Sequence, residues 1–208
     1  MKDQATFWDR IARKYAQRPV QNQQAYADTL DATRAYLGAK DRVLEIGCGT
    51  GTTALTLAPA VAEITGTDIS GEMIAIAEEK RRTGGAENVR FLRADAADDV
   101  SGGKPFDVVL AFNALHVLAD PDAALRALFQ QTRPGGYFIS KSACLKEMNV
   151  LIRLAIPLMQ AVGKAPVVAR FTNHELQDMI MRAGFEIVET RTFKGAPHLP
   201  FIVARRPF

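Results

Sequence analysis

The stretch Glu45-Ile46-Gly47-Cys48-Gly49-Thr50-Gly51 sets an acid and three alternating glycines between a short apolar run and a helical pattern. Each residue type there has a chemical use. Glycine lets the chain turn sharply and lets a ligand approach the backbone with no Cβ in the way. The free N–H groups of the following helix favour an acceptor or anionic group. Asp68 lies 21 residues beyond Gly47 and closes the next apolar run. In a doubly wound sheet that strand lies beside the first, and its terminal acid can accept hydrogen bonds from the two hydroxyls of a ribose. A dinucleotide fingerprint would put the third glycine three residues after the second, whereas Gly51 is two after Gly49. Glu45 adds negative charge beside the loop, which suits a cationic ligand better than a pyrophosphate.

Further along, His116 follows the apolar run Phe106 to Phe112 by four residues. An unperturbed imidazole takes a proton near neutral pH, so His116 is the candidate general base. Cys48 and Cys144 lie far apart and match no zinc or redox spacing, so both read as reduced thiols and no metal site is expected. Lys plus Arg number 26 against 23 Asp plus Glu, a formal +3, with no run of five like charges, so no nucleic-acid partner is expected. From Lys141 to Phe208 there are ten Lys/Arg and five Asp/Glu. That surplus reads as a solvated face, or as a field steering an anionic substrate or lipid surface. The start, Met1-Lys2-Asp3-Gln4, has no apolar signal core. No stretch reaches the ~18 apolar residues of a membrane span. A cytoplasmic protein follows as the expectation, with peripheral contact as its only membrane role.

Elements must position these residues. Helices are predicted over Phe7–Tyr15 and Gln23–Leu37, then strands at Arg42–Ile46, Glu63–Asp68, Val89–Leu92, Phe106–Phe112 and Tyr137–Ser140. Between them fall a helix at Thr52–Leu57, one from Gly71 capped by Ser70, and one opened by Asp120 and Pro121. Arg133-Pro134-Gly135-Gly136 reads as the stop of that helix and a turn. Strands alternating with helices argue for a mostly parallel sheet in one α/β domain. Residues Ala143 to Phe171 are apolar and largely helical by pattern. Thr172-Asn173-His174-Glu175 is a capping box for a helix to Ala183. Phe185–Phe193 and Phe201–Ala204, with no crossover helix between them, should pair antiparallel.

With those elements laid out, the sequence resembles the class I, seven-stranded S-adenosylmethionine-dependent methyltransferases. Within that class it is similar to the small bacterial group that includes ubiquinone and menaquinone biosynthesis enzymes. The resemblance runs over residues 5 to 142 and, more loosely, the terminal helix and hairpin. It implies a doubly wound, mostly parallel seven-stranded sheet with an antiparallel last strand, a helical lid over residues 1–40, and a cofactor core over 42–142. An acceptor-binding insert at 143–171 and a closing helix and hairpin at 172–208 complete the single domain. The implied cofactor is S-adenosylmethionine, with S-adenosylhomocysteine as product. Its sulfonium and ammonium groups, with no phosphate, fit the acid at Glu45. Glu45, Gly47, Cys48, Gly49 and Gly51 would form the cofactor loop, and Asp68 the ribose site. Ile69 and Met73 would pack the adenine, and Asp95 and Ala96 would meet its edge. Asn113 would stand beside the cofactor at the end of strand four, and Tyr15 would reach its methionine part. The sequence lacks the Asn/Asp-Pro-Pro-Tyr and Pro-Cys motifs of nucleic-acid base methyltransferases. Leu151, Leu154, Ile156, Leu158, Met159 and Val162 in the insert predict a small apolar or aromatic acceptor. A lipid or quinone acceptor at a membrane surface is the alternative enzyme reading. A regulatory protein that binds the cofactor without transferring methyl is the non-enzyme one. A nucleotide-dependent oxidoreductase fits the glycine spacing less well.

Overall fold

In β1 (Arg42–Ile46) and β4 (Phe106–Phe112) almost every side chain is buried, on both faces of the strand. Strands of that kind must lie in the middle of a sheet with helices on each side. The computed structural model describes residues 2–208 and shows this arrangement. The remaining elements are α1 (Lys2–Ala16), α2 (Gln23–Arg34), α3 (Thr52–Leu57), β2 (Glu63–Asp68), α4 (Gly71–Gly84), β3 (Val89–Arg93), α5 (Pro121–Gln131), β5 (Thr132–Lys141), α6 (Val150–Ala161), α7 (Asn173–Arg182), β6 (Glu186–Arg191) and β7 (Phe201–Arg205). The seven strands run in the order β3-β2-β1-β4-β5-β7-β6. The first five are parallel, and β7 is antiparallel to both β5 and β6. This is the doubly wound sheet expected from the sequence.

Alternation along the strands sorts the apolar side chains into two cores. Leu44, Ile46, Val109, Ala111 and Phe138 pack with Leu125 and Leu128 of α5 and with Leu176 and Ile180 of α7. Val43, Val108, Leu110 and Ile139 face the other way, towards Leu30 of α2, Ala54 and Leu57 of α3, and Ala77 of α4. Glu45 shares the face of Val43, and Lys141 shares that of Ile139, so both carry an ionisable group into the second layer.

The helix boundaries follow capping chemistry. The Ser70 hydroxyl accepts from Met73 N–H, Asp120 accepts from Ala123 N–H ahead of Pro121, and Thr172 and Glu175 form both bonds of a capping box. Three boundaries differ from expectation by more than two residues. Helix α1 begins earlier than Phe7. Helix α2 ends at Arg34, where Tyr36 and Leu37 tighten to i−3 hydrogen bonds. Strand β5 begins at Thr132, before the Pro-Gly-Gly sequence, because Thr132 pairs with Phe106 and a register shift before Val108 absorbs the extra residues. Gly136 is required in that bulge, since a Cβ there would lie 2.7 Å from the carbonyl oxygen of Asp107.

The segment after β5 departs furthest from expectation. Only a short 3-10 turn at Leu145–Glu147 and α6 are helical, and α6 buries none of its residues. Leu151, Leu154 and Leu158 are each about 70% exposed (72%, 68% and 70%). Polar tethers hold the segment: Arg10 donates to the Gly163 carbonyl, and Gln4 Nε2 donates to those of Val117 and Val167.

Candidate active site

The strand order reverses between β1 and β4, and in open α/β sheets a ligand sits outside the carboxyl ends of the strands at such a point. The loop after β1 lies there. Gly47, Gly49 and Gly51 all have positive φ (59°, 54° and 74°), the left-handed region that favours glycine. Their surroundings give them different work. A Cβ on Gly51 would lie 2.5 Å from Phe91 Cζ and 2.8 Å from Ala77 Cβ, so this glycine seats α3 against β3 and α4. A Cβ on Gly47 would lie 2.8 Å from that of Ala114. Around Gly49 the nearest atom is Tyr15 Cε1 at 4.0 Å, which leaves space over the backbone for a ligand.

Asp68, at the end of β2, is oriented by that loop. Its Oδ2 accepts from Gly49 N–H at 3.0 Å and its Oδ1 from Ser70 N–H at 2.9 Å. Burial raises its carboxyl above the ordinary carboxylate range against the pull of those two bonds. Glu45 is almost fully buried (2% exposed), and its Oε2 has no hydrogen-bond partner. Burial, with a contribution from Asp68, pushes it up to about 8 against the bond from Ala54 N–H. Cys48 lies beside both acids, and burial first, then Glu45 and Asp68, drive its thiol well above its ordinary value. Cys48 is therefore a protonated wall residue, not a nucleophile.

At the end of β4, Asn113 is the one described non-glycine residue with positive φ, 54°. Its N–H donates to the Lys141 carbonyl at 2.7 Å, which ties the ends of β4 and β5 together. A residue held in that region marks a constrained position, of the kind that collects at functional sites. Helix α1 closes over the opening. Asp9 accepts from the Ser70 hydroxyl at 2.6 Å and from Glu72 N–H at 3.1 Å, which docks α1 on the start of α4. Tyr15 then overhangs the glycine loop, with Trp8 edge-on to it at 6.4 Å. Burial, Asp68 and Tyr26 raise the Tyr15 hydroxyl above its ordinary value, so it stays a proton donor.

These pieces enclose one cavity of about 600 Å³. Tyr15, Glu45, Gly47, Cys48, Gly49, Asp68, Ile69, Met73, Asp95, Ala96 and Asn113 all line it, so the structure brings together every expected cofactor residue except Gly51, which packs behind the loop. Asp95 also shapes its own turn, accepting from Ala97 N–H at 3.0 Å.

Two expectations are placed elsewhere. His116 sits in the 3-10 turn Leu115–Val117 and does not line the cavity; its Nδ1 accepts from Ala143 N–H at 3.3 Å, and burial lowers its pKa to about 4. The insert expected to form the acceptor pocket contributes no lining residue between 143 and 171. The apolar side chains of α6 point to solvent, while Phe112 at the end of β4, Val117 and Leu118 after it, Val20 ahead of α2, and Ala196 and Leu199 of the β6–β7 loop supply apolar lining to the cavity. Lys141, Thr29 and Lys80 also line the cavity and were not singled out from the sequence. Only Lys141 left a signal, as a charge closing the apolar strand Tyr137-Phe138-Ile139-Ser140. Among the described residues, no group of three or more His, Cys, Asp or Glu is placed to hold a metal ion.

A family model described as a methyltransferase domain matches residues 17–190. The chain belongs to the S-adenosylmethionine-dependent methyltransferase family. It is 30% identical over 181 residues to the ubiquinone biosynthesis O-methyltransferase of Ruegeria pomeroyi, covering 81% of this chain and 68% of that one. A S-adenosylmethionine-dependent methyltransferase of Methanosarcina mazei superposes with a TM-score of 0.70 at 25% identity, over 85% of this chain and 97% of that one. The magnesium protoporphyrin IX methyltransferase of Synechocystis PCC 6803, with bound S-adenosylhomocysteine, superposes with a TM-score of 0.70 at 22% identity, over 98% and 95% of the two chains. The chain spans between 25% and 53% of the length of the first curated relatives it matches.

The residues of this methyltransferase-family chain fit the family's cofactor on two observations. The orphaned Glu45 Oε2 is a buried acceptor with no partner in the chain, the kind of group a cation completes. The space over Gly49 is one that a side chain would fill.

Proposed function

We propose that this protein transfers the methyl group of S-adenosylmethionine to a small acceptor, apolar or aromatic in its body, bound in the cavity over the ends of β4 and β5. The observation that carries the reading is the pairing of the buried Glu45 with the half-buried Asp68 at one end of a cavity whose other walls are largely apolar. When bound, the cofactor supplies an electrophilic methyl on a positively charged sulfur. The protein's contribution is placement. Asp68, fixed by Gly49 and Ser70, would hold the ribose hydroxyls. Asp95 and Ala96 would meet the adenine, with Ile69 and Met73 against its faces. Glu45 would face the ammonium group, and Tyr15 would close over it from α1. Phe112 and Asn113 would then set the acceptor in line with the sulfur. Alignment of that kind accounts for a large share of rate in two-substrate transfers. With its ring nitrogen engaged by Ala143 and its pKa near 4, His116 supports the backbone of the following strand end, and the transfer proceeds without it as base.

Calorimetry with S-adenosylhomocysteine tests the proposal. Binding in the micromolar range, lost in Asp68→Ala, is the expected result; no binding at submillimolar ligand would refute it. Binding without transfer of labelled methyl to any acceptor would move the protein to the regulatory class.

One observation favours a second acceptor class. Val150, Leu151, Ile152, Leu154, Leu158 and Met159 stand exposed on α6, next to Arg153 and Lys164. No described helix is long and apolar enough to cross a membrane, and an exposed apolar helix with basic neighbours suits the surface of an anionic bilayer, where a lipid or quinone acceptor would be found. Salt-sensitive pelleting with anionic liposomes supports that reading, and no pelleting rejects it. Both cysteines are free and buried, which suits a cytoplasmic setting.

A further inference from the structure

The acidic end of the cavity has a basic counterpart. Lys141 closes β5, is 7% exposed, and lines the cavity. Its Nζ donates to Thr29 Oγ1 at 2.7 Å and to the Ala25 carbonyl at 3.2 Å, and lies 5.0 Å from the centroid of the Phe193 ring. An ammonium has three donors, so one has no oxygen partner. Among the described residues no carboxylate forms an ion pair with it. A buried cation without a counter-ion is costly, and an anionic ligand oxygen at the open donor would offset that cost.

Register places that charge away from the cofactor end. Lys141 pairs with Phe112, while Glu45 pairs with Leu110, so the two groups sit two strands and two residues apart on the same face. At ordinary strand spacings their Cα atoms are roughly 12 Å apart. The glycine loop and Asp68 lie on the β1–β2 side; Lys141 lies on the β5 side, beyond Phe112. The groups around it are Thr29 and Ala25 of α2, the Phe193 ring, and, at longer range, the Asp28 carboxylate.

We propose that Lys141 is a specificity-determining residue that binds an anionic oxygen of the methyl acceptor, a carboxylate or an ionised hydroxyl on an apolar or aromatic body. The ammonium pins that oxygen under α2 and so fixes which part of the acceptor reaches the sulfur above Asn113. The neighbouring walls, Phe112 and Leu199, contact the apolar body. The inference deepens the methyl-transfer reading and rests on it for the position of the sulfur.

The test uses the whole protein saturated with S-adenosylhomocysteine and three probes: benzoate, its neutral amide benzamide, and 4-nitrophenol above its ionisation. Wild type should bind benzoate or the nitrophenolate about 10- to 100-fold more tightly than benzamide, the range expected for one charge-assisted hydrogen bond. Whichever anion is preferred names the source of the charge. In Lys141→Gln, which keeps a neutral donor for Ala25 and Thr29, the preference should vanish while affinity for benzamide and S-adenosylhomocysteine holds. Lys141→Arg should restore part of it. An unchanged anion preference in Lys141→Gln, or no anion binding to wild type, overturns the proposal. A loss of S-adenosylhomocysteine affinity in that variant also overturns it, because Lys141 would then belong to the cofactor. Should Lys141→Gln not fold, the ammonium nitrogen resonance of wild-type Lys141 decides: benzoate must shift it and benzamide must not. If S-adenosylhomocysteine itself fails to bind, the methyl-transfer reading falls, while a Lys141-dependent anion preference would still appear without it.

Discussion

Glu45→Gln should change how the stability of this protein depends on pH. In the folded chain the Glu45 carboxyl is pushed up to about 8 by burial, against 4.5 for the same group in water. Between those values the folded state holds a proton that the unfolded chain has released. Stability conferred by the protonated form is therefore complete below pH 4.5 and is lost as pH rises towards 8, at about 1.4 kcal/mol per pH unit. Over the whole interval the loss approaches about 5 kcal/mol. Gln is neutral throughout and can still accept from Ala54 N–H, so it has no such slope. At pH 4.5 the two proteins should differ little. At pH 8 the variant should be the more stable by several kcal/mol, which for a chain of this size is about 10–20 °C in melting temperature. Denaturant and thermal melts of both proteins at the two pH values measure it. The comparison isolates Glu45, because every other titrating group is common to both proteins. The cofactor's ammonium should reverse the shift: wild type should release a proton on binding S-adenosylhomocysteine below pH 8, seen as a buffer-dependent enthalpy, and Glu45→Gln should not. Parallel stability profiles for the two proteins would refute the reasoning, since they would mean that Glu45 is ionised in the folded chain.

Two further predictions separate packing from binding. Gly51→Ala should cost about 2–4 kcal/mol of stability, because its new Cβ meets Phe91 at 2.5 Å at a φ of 74°. Gly49→Ala meets nothing closer than 4.0 Å and should cost only about 1 kcal/mol, yet weaken S-adenosylhomocysteine more than about tenfold; equal effects of the two on both readouts would contradict the division of labour in the loop. The His116 imidazole should titrate near 4, and its contribution to stability should be complete above 6.5 and be lost as pH falls through 4. A proton NMR titration with a midpoint near 6.5, or a marked shift of the His116 signals on adding S-adenosylhomocysteine, would return it to the cavity.

Local chemistry made the cofactor half legible in the sequence. Buried parallel strands need continuous apolar runs, a ligand-facing turn needs glycines, and helix starts need Ser70, Asp120 and the Thr172–Glu175 box, so each could be read from neighbours within a few positions. The two-residue glycine spacing and Glu45 were enough to prefer a cationic ligand. What stayed hidden depends on contacts across tens of residues. Gly49 and Gly51 flank Thr50 in one loop, and only the approach of Phe91 and Ala77 makes one a packing residue and leaves the other open. Residues 150–162 are as apolar as a core helix, but a sequence pattern reports that a side chain avoids water, not which surface covers it; in the fold, α2 and the β6–β7 loop line the cavity and those residues do not. His116 lies near the end of β4 in sequence and faces the backbone of Ala143 in space. Lys141 is one basic residue among 26 until strand register sets it beside Phe112 and α2 closes over it. The core of the proposed cofactor site follows from one loop and the strand next to it; the proposed acceptor site draws on four separated segments, and only the tertiary structure brings those together.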